Sequence, residues 1–401
     1  MKILLLSDMP PNDNYTAGIV LNRMCHFLLE EGHEICCYTI KDPSVCAEIP
    51  SDKKSKIPYR TEPMPPENYG RRSRTRRWKK SLNFFRSLIM NNFSAIAFFP
   101  HIAKRVSDFA IEQNAQMIWG IVQGHSTIRI FRQVTVLTRL PYVVQAWDPS
   151  EWYLSFYGFD RFTMALIMKV YSSLLKRSTA FIASSWAMAE EYTKKYGVKS
   201  FAVLPGLEES RISVAERKKS KKDFIIAFAG QMYAINEIKC LLETTKNLLC
   251  DKHIRIRIYG KDWQYDLSNY PHVEIMGWIS QANLLEELSD ADLLYCPYGF
   301  EKSFEKTAKL SFPSKLVCYL KTGRPVLFHG PHYSSPGIFL KKHNAAYICD
   351  SLDSVILANL ISSIINDQNK EAIAQNGFNT FKKYLTLETM KKNFLAALNI
   401  S

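Results

Sequence analysis

The sequence predicts an α/β protein with two doubly wound domains, each built around a parallel sheet with helices on both faces. Short apolar strands alternate with amphipathic helices through the first half of the chain. The polar stretch 205–222 interrupts this pattern, and the alternation restarts at Phe224. Strands that alternate with helices in this way form parallel sheets. A chain of 401 residues also exceeds what one hydrophobic core usually organises, which favours two domains.

The first predicted domain covers residues 1–205. Its first strand is followed by an amphipathic helix at 17–31, which ends at Gly32. The predicted strands are, in chain order, Ile3–Leu6, Glu34–Ile40, Gln116–Ile121, Tyr142–Ala146, Ala180–Ala183 and Phe201–Leu204. The segment 41–100 breaks this rhythm and is rich in Pro, Lys and Arg. We predict a basic insertion there, because a long irregular segment in a regular domain is usually functional or disordered.

The second predicted domain covers residues 206–386, and 205–222 is the predicted linker. Its predicted strands are Phe224–Ala229, Ile254–Tyr259, Val273–Met276, Leu293–Cys296, Val326–Phe328 and Ala346–Ile348. The last segment, 387–401, contains a helix at Leu387–Leu398 that we expect to pack back on the first domain. Doubly wound sheets bind ligands beyond the carboxyl ends of their strands, which predicts a ligand-binding cleft between the two domains.

Half of the formal net charge of +14 is concentrated at 71–80, where RRSRTRRWKK holds seven basic side chains and no acid. Such a run attracts an anionic partner, and the apolar residues at 82–90 fit a lipid interface. We therefore predict that residues 71–90 bind an anionic membrane surface, with a solvated surface loop as the alternative. A nucleic-acid partner is not expected, because no RNA- or DNA-reading motif surrounds the run.

Composition and cysteine spacing bear on the class and compartment of the protein. Hydrophobic residues make up 47% and charged residues 22%, which is typical of a globular protein. The nine cysteines have irregular spacing, which favours reduced thiols in a cytoplasm over a disulfide framework. No apolar run reaches the length of a transmembrane helix, and the short apolar N-terminus reads as a buried strand. We predict a cytoplasmic protein that associates peripherally with a membrane.

Four segments of the C-terminal half follow one another in a recognisable order and spacing. They are FAGQMYAINEIKCLLE (228–243), IRIYGKDWQYDL (256–267), HVEIMGWISQANLLEELSDADLLYCPY (272–298) and FPSKLVCYLKTGRPVLFHG (312–330). Together they resemble the retaining glycosyltransferase family 4, which has the GT-B architecture of two Rossmann-like domains facing each other across a cleft. The resemblance implies a hexosyltransferase-type enzyme that depends on a nucleotide sugar and retains the anomeric configuration.

A nucleotide-sugar donor carries a diphosphate, which needs positive charge and free backbone N–H groups. Helix N-termini supply both, and a lysine on the first turn adds a full charge. Lys315 stands at such a helix start, with an ordinary exposed lysine as the alternative. Gly230 and Gly18 each permit close backbone approach, although a glycine in a strand–helix turn is also common for steric reasons. The predicted donor-binding residues are Gly18, Gly230, Gln231, Ser314, Lys315 and Cys318.

Position 318 departs from the family pattern. The family usually has a glutamate there, which accepts hydrogen bonds from the ribose hydroxyls, and its companion acid would fall at Leu310. Cysteine is a weak acceptor and leucine has no polar side-chain atom, so neither can replace a carboxylate. Glu301 and Glu305, in the preceding loop, are the candidates for donor or ribose contacts in their place.

Asp148 is the predicted catalytic residue. A carboxylate at the carboxyl edge of a strand can orient or deprotonate an acceptor hydroxyl, and Asp148 follows the strand Tyr142–Ala146. The alternative is a turn residue before Pro149. Glu151 is a second candidate of the same kind, whereas His125 is more typical of a structural histidine.

The predicted function is transfer of a sugar from a nucleotide sugar to a lipid-linked or polysaccharide acceptor at the cytoplasmic membrane face. No metal and no cofactor beyond the nucleotide-sugar co-substrate are expected, because Asp290-Ala291-Asp292 precedes a strand and reads as structural. One alternative is a nucleotide-sugar epimerase of the same architecture, which would not need a lipid-facing segment. The other is a non-catalytic GT-B binding protein, because the acids at 310 and 318 are missing.

Overall fold

The computed structural model describes residues 1–13, 16–41, 57–65, 89, 91–210, 223–231, 233–249, 253–260 and 265–400. The chain divides into two compact units. The first comprises Met1–Val203 together with Lys391–Ser401, and the second comprises Leu204–Met390. The basic run at 71–80 and most of the polar stretch 205–222 lie outside the described residues.

The first unit contains a parallel sheet of seven strands in the order β3-β2-β1-β4-β5-β6-β7. The strands are β1 (Lys2–Ser7), β2 (Glu34–Lys41), β3 (Tyr59–Pro63), β4 (Met117–Ile121), β5 (Tyr142–Ala146), β6 (Ala180–Ala183) and β7 (Ser200–Ala202). The helices are α1 (Thr16–Glu30), α2 (Phe99–Glu112), α3 (His125–Thr138), α4 (Ser150–Phe156), α5 (Arg161–Arg177) and α6 (Trp186–Tyr196). Residues 91–97 are also helical.

The central strands of this sheet are buried along their whole length. Every residue of β4, β5 and β6 is buried, and their apolar runs are continuous rather than alternating. Continuous burial is expected of parallel strands that have helices on both faces. The predicted strands of the first domain are therefore confirmed to within a residue or two.

One strand, β3, was not predicted, and it lies inside the segment 41–100. It pairs in parallel with β2 at the sheet edge, with Tyr59 opposite Cys37. Its sequence, YRTEP, is largely exposed and shows no apolar alternation. Besides this pairing, the side chain of Glu62 in β3 forms an ion pair of 2.5 Å with Arg105. A strand with this composition carries no hydrophobic signal in the sequence.

The second unit contains a parallel sheet of six strands in the order β10-β9-β8-β11-β12-β13. The strands are β8 (Phe224–Ala229), β9 (Ile254–Tyr259), β10 (Val273–Gly277), β11 (Leu293–Pro297), β12 (Val326–His329) and β13 (Tyr347–Cys349). The helices are α7 (Ile235–Leu248), α8 (Gln281–Ser289), α9 (Glu305–Leu310), α10 (Lys315–Thr322), α11 (Ser335–Lys342), α12 (Ser354–Asn366) and α13 (Lys370–Tyr384), and Lys302–Phe304 form a 3-10 turn. The predicted α/β fold class, with two doubly wound sheets, is confirmed.

The last helix, α14 (Leu387–Ala397), contains the boundary between the two units. Its C-terminal part belongs to the first unit, where the ring of Phe394 lies 4.8 Å from the ring of Trp119. Lys391 forms ion pairs with Glu30 at 2.9 Å and with Glu31 at 2.8 Å. Within the described residues, no helix is both long enough and apolar enough to cross a membrane.

Candidate functional site

The carboxyl edge of the second sheet is shaped by the turn at Gly230, directly after β8. Gly230 has φ +123°, a conformation that side-chain-bearing residues rarely adopt. Its N–H donates a hydrogen bond of 2.9 Å to the carbonyl of Tyr259 at the end of β9. A Cβ atom at this position would lie 3.6 Å from Nζ of Lys315. The turn therefore brings the backbone of Gly230 next to the lysine amine.

Lys315 is the first residue of α10, and its amine is buried between two aromatic rings. Nζ lies 4.5 Å from the ring centroid of Phe228 and 4.5 Å from that of Tyr233. Among the described residues the amine has no hydrogen-bond partner. Desolvation lowers the pKa of Lys315 to about 8. The Lys315 amine is therefore buried, unlike the ordinary exposed lysine of the alternative interpretation.

Tyr319 fixes the position of α10 against the end of β8. Its hydroxyl accepts a hydrogen bond of 2.7 Å from the N–H of Ala229 and lies 3.4 Å from the carbonyl of the same residue. Burial raises the pKa of Tyr319, so the hydroxyl keeps its proton. The helix ends at Gly323, whose φ of +64° forms the left-handed cap. These contacts hold Lys315, one turn before Tyr319, at the carboxyl edge of the sheet.

A buried polar network supports the loop after β11. The Glu237 carboxylate accepts a hydrogen bond of 2.8 Å from the N–H of Phe300, and desolvation raises the pKa of Glu237. The Tyr295 hydroxyl lies 2.9 Å from the Glu237 carbonyl oxygen and 2.6 Å from Nδ1 of His329. His329 is hydrogen-bonded through Nε2 to the carbonyl of Ser351, and desolvation lowers its pKa to about 4. The histidine is therefore neutral at pH 7, which suits its buried position.

The sequence analysis missed this network because its members do not form a motif. Glu237 is the only one with a signal of its own. It is an acid next to Ile238, and it shares the buried face of α7 with Leu241. A carboxylate on an apolar helix face indicates a buried hydrogen bond. Tyr295 and His329 lie within apolar strands and gave no such indication.

Three other predicted donor-site residues lie around the same edge. Gln231 is exposed, and its carbonyl accepts a hydrogen bond of 3.2 Å from the N–H of Tyr233. Ser314 is exposed and precedes α10 without a side-chain capping hydrogen bond. Cys318 is half-buried, and its Sγ lies 3.8 Å from Nε2 of Gln281. Their contact with a donor stays a prediction.

The two glutamates named as replacements for the missing acids have protein partners. Glu305 forms an ion pair of 2.6 Å with Lys309, one turn along α9, which lowers the pKa of Glu305. Oε1 of Glu301 accepts a hydrogen bond of 3.3 Å from Asn236 on the first turn of α7. Leu310 is buried, as an apolar residue should be. Glu301 therefore lies at the start of α7.

At the carboxyl edge of the first sheet, Asp148 lies in a turn that Gln123 holds. Oε1 of Gln123 accepts hydrogen bonds from the N–H of Trp147 at 3.0 Å and of Asp148 at 3.3 Å. The Ser184 hydroxyl donates to the carbonyl of Trp147 at 2.5 Å. Asp148 itself is half-buried. Three neighbouring strand ends thus position this residue, while its catalytic role stays a prediction.

Gly18 and His125, also in the first unit, are closely packed. A Cβ atom at residue 18 would fall 1.8 Å from Nδ2 of Asn12, so the site requires glycine for packing alone. His125 is buried, with its ring 5.3 Å from that of Phe99 and 5.4 Å from that of Phe159. Both environments agree with the structural alternatives. Donor binding by Gly18 remains untested.

Across the residues that the structure describes, no three His, Cys, Asp or Glu side chains lie close enough to hold a metal ion. Asp292 accepts a hydrogen bond of 2.8 Å from the N–H of Ile225, and Asp290 forms an ion pair with Arg257 at 3.2 Å. Both acids of the Asp-Ala-Asp sequence therefore have structural partners.

The two sheets and their order define an architectural class, the GT-B fold of glycosyltransferases, and solved structures confirm it over the whole chain. Sucrose-phosphate synthase from Thermosynechococcus elongatus superposes with a TM-score of 0.69 at 13% identity, covering 100% of this chain and 98% of that chain. HepE from Anabaena in complex with UDP has a TM-score of 0.66 at 14% identity, with 100% of both chains covered. The lipopolysaccharide outer core galactosyltransferase WaaB has a TM-score of 0.64 at 12% identity, covering 100% of this chain and 99% of that chain. No protein-family model and no curated protein matches the sequence.

Proposed function

We propose that this chain is a glycosyltransferase that takes a sugar from a nucleotide-sugar donor, with Lys315 as the residue that binds the diphosphate. The observation that carries the proposal is the buried Lys315 amine, which lies beside the Gly230 turn without a hydrogen-bond partner among the described residues. A charge removed from water is costly unless an opposite charge compensates it. A diphosphate next to Gly230 would provide that compensation.

The helix starts around Lys315 favour the same ligand. Neither α7 nor α10 has a side-chain cap on its first turn. Their first N–H groups therefore carry partial positive charge that suits phosphate oxygens. For Glu301, beside the start of α7, we propose hydrogen bonds from sugar or ribose hydroxyls, because a carboxylate would repel phosphate. A donor that combines phosphate and hydroxyl groups fits both features.

On the acceptor side we propose Asp148 as the residue that orients or deprotonates the acceptor hydroxyl. Its backbone is fixed by Gln123, and its position beyond β5 matches the edge where ligands bind in parallel sheets. Transfer of a hexose with retention of configuration, to a lipid-linked or polysaccharide acceptor, completes the proposal.

We propose the cytoplasmic membrane face as the place of action. Ile89, Phe93 and Ile96 have the spacing of one helix face and are 63%, 57% and 78% exposed. They directly follow the segment that holds the seven basic side chains. Each basic group near an anionic surface contributes about 1 kcal/mol, and the apolar face adds insertion. Co-sedimentation with vesicles of anionic phospholipid should weaken at high salt and in a variant with the seven bases of 71–80 changed to Ser.

Calorimetric titration with nucleoside diphosphates tests the donor site. UDP is the first probe, because one solved relative was crystallised with UDP. Lys315→Ala removes a charge-assisted contact and should weaken binding about 10- to 100-fold. Lys246→Ala is the matched control, because this lysine also lies over an aromatic ring, that of Tyr270 at 5.5 Å. Unchanged affinity in Lys315→Ala would remove the proposed donor site.

The missing acid at 318 supports one alternative, a non-catalytic binding protein. Failure of the wild type to bind UDP, GDP or ADP would favour it. If the wild type binds a nucleoside diphosphate, Cys318→Glu should keep or improve that affinity, because a carboxylate beside Gln281 can accept hydrogen bonds from ribose. Conversion of a nucleotide sugar in the absence of any acceptor would instead indicate the epimerase.

A further inference from the structure

Helix α4, directly after Asp148, carries a row of aromatic side chains that the donor chemistry does not use. Its sequence is SEWYLSF, and the next residue is Tyr157. Trp152 and Phe156 are one turn apart, and their rings stack with centroids 5.0 Å apart and planes inclined by 28°. Phe156 is 52% exposed, whereas Trp152 is half-buried behind it. The outer face of the Phe156 ring is therefore the aromatic surface that is open to solvent.

The surface is rigidly supported from beneath. The ring of Tyr153 packs against the start of α3, where a Cβ atom at Gly124 would lie 3.2 Å from the ring. Tyr153 and Tyr157 lie 4.6 Å apart, and Tyr157 meets Phe156 edge-on at 5.4 Å. Aromatic contacts of this geometry are favourable beyond their buried area. A fixed flat surface suits a ligand that is itself flat and rigid.

Carboxylates adjoin this surface in the chain. Asp148 precedes α4, and Glu151 lies on its first turn, where it forms an ion pair of 2.7 Å with Lys195. Carboxylate oxygens are hydrogen-bond acceptors for hydroxyl groups. A sugar ring has both features in one molecule, because its C–H groups form an apolar face and its hydroxyls surround the rim. C–H groups packed on an aromatic face gain dispersion contacts over the whole ring.

We infer that the exposed ring of Phe156, supported by Trp152, forms an acceptor subsite that stacks a sugar ring of a glycan next to Asp148. The inference rests on the proposed function, and it specifies the acceptor as a glycan at this position. A phospholipid headgroup fits less well, because its phosphate has the same sign of charge as the Asp148 carboxylate, next to which the subsite lies. The aliphatic side chains suited to acyl chains, Ile89 and Ile96, belong to a different segment.

Saturation-transfer NMR with three neutral trisaccharides, maltotriose, cellotriose and chitotriose, tests the subsite. At least one should receive magnetisation from the aromatic protons, mostly at the C–H groups of one ring face. Trp152→Ala and Phe156→Ala should each weaken its binding about fivefold or more, and Trp152→Phe should restore it. Tyr59→Ala is the control, since Tyr59 is an exposed ring of the same unit on the edge strand β3, and it should leave trisaccharide affinity unchanged.

Titration of each variant with UDP separates this inference from the proposed function. UDP affinity should be the same in the wild type and both alanine variants, and a thermal unfolding transition like that of the wild type shows that the variants are folded. Normal UDP binding with no saturation transfer to any trisaccharide would overturn the subsite and leave the donor site intact. Equal trisaccharide affinity in the wild type, Trp152→Ala and Phe156→Ala would overturn it as well. Loss of UDP binding in the wild type itself would instead count against the proposed function.

Discussion

The carboxyl edges of the two sheets have the same architecture and opposite chemistry. In the second unit, the edge at Gly230 buries a lysine amine between two rings. In the first unit, the edge at Asp148 has a half-buried carboxylate, followed by a stacked aromatic pair whose Phe156 ring is exposed. The buried edge of the second unit strengthens electrostatic attraction because it excludes water. The edge of the first unit instead offers an apolar ring face and hydrogen-bond acceptor oxygens.

Under the proposed function, this difference would let the two edges bind chemically different substrates. A buried cation discriminates strongly for anions, because only a negative ligand compensates its desolvation. An exposed aromatic surface accepts many sugars weakly and gains selectivity from hydroxyl contacts at its rim. We therefore expect changes at the second edge to affect donor affinity, and changes at the first edge to affect turnover and acceptor binding.

The largest effect should follow Asp148→Asn. The amide keeps the size of the side chain and the turn, but it cannot take a proton from an acceptor hydroxyl. Turnover should fall about 100-fold or more, the usual range for a lost general base, while UDP affinity changes less than twofold. Initial-rate kinetics with a trisaccharide acceptor and calorimetry with UDP measure the two quantities. An unchanged turnover number would make Asp148 a turn residue only.

Gly230→Ala should damage the other edge. With φ at +123°, any side chain at this position strains the backbone, at a cost of about 1–3 kcal/mol in the free energy of unfolding. Chemical denaturation of the variant measures that loss. Gly32→Ala is the control, because Gly32 also has a positive φ, of 75°, but belongs to the first unit and is not part of the proposed donor site. It should lower stability without any change in UDP affinity, whereas Gly230→Ala should weaken both.

Phe93→Ser should separate the apolar helix face from the aromatic pair on α4. If the exposed ring enters the lipid interface, removing it should lower affinity for anionic vesicles about fivefold, equivalent to roughly 1 kcal/mol of lost burial. Phe156→Ser should leave vesicle binding at the wild-type value. A reversed result, with Phe156 controlling co-sedimentation, would assign the lipid surface to α4 and contradict the division of roles.

The smallest expected effect is the pH dependence of donor binding. The pKa of Lys315 lies below its ordinary value, at about 8, so the ligand-free amine loses its proton as the pH rises through 8. Only the ammonium form attracts phosphate, so UDP affinity should fall about fourfold between pH 7 and pH 8.5. Lys315→Arg keeps its charge throughout this range and should bind UDP with a flatter profile. Identical profiles in the two proteins would exclude Lys315 as the titrating group.

Much of the fold could be predicted because buried parallel strands leave a strong signal. Continuous apolar runs such as Leu293–Cys296 allow little other than a buried strand, and the strand–helix alternation then fixes the class. The edge strand Tyr59–Pro63 was missed because its side chains face solvent and are mostly polar. Hydrophobic patterning in a sequence indicates which residues are buried, so it does not predict an exposed strand.

The candidate site was only partly predictable. The position of Lys315 at a helix start could be deduced from Pro313 and Gly323, but its confinement between Phe228 and Tyr233 depends on packing between separate segments. The prediction that Glu301 and Glu305 replace the acids missing at 310 and 318 rests only on their proximity in sequence. Glu305 forms an ion pair with Lys309, one turn along the helix. Their spacing of four residues in the sequence could have predicted this ion pair.

The first unit is made from two separate stretches of chain, and this governs how the protein can be divided. A fragment that stops at residue 203 lacks Phe394, so the ring of Trp119 is uncovered, and it leaves Glu30 and Glu31 without Lys391. The carbonyl of Ala202 also loses its hydrogen bond from Asn393. A shortened protein in which a flexible Gly/Ser linker joins residue 203 to residue 391 keeps all of these contacts. In the order of the chain, the second unit is thus an insertion between residues 203 and 391, and we expect the linked first unit to fold without it.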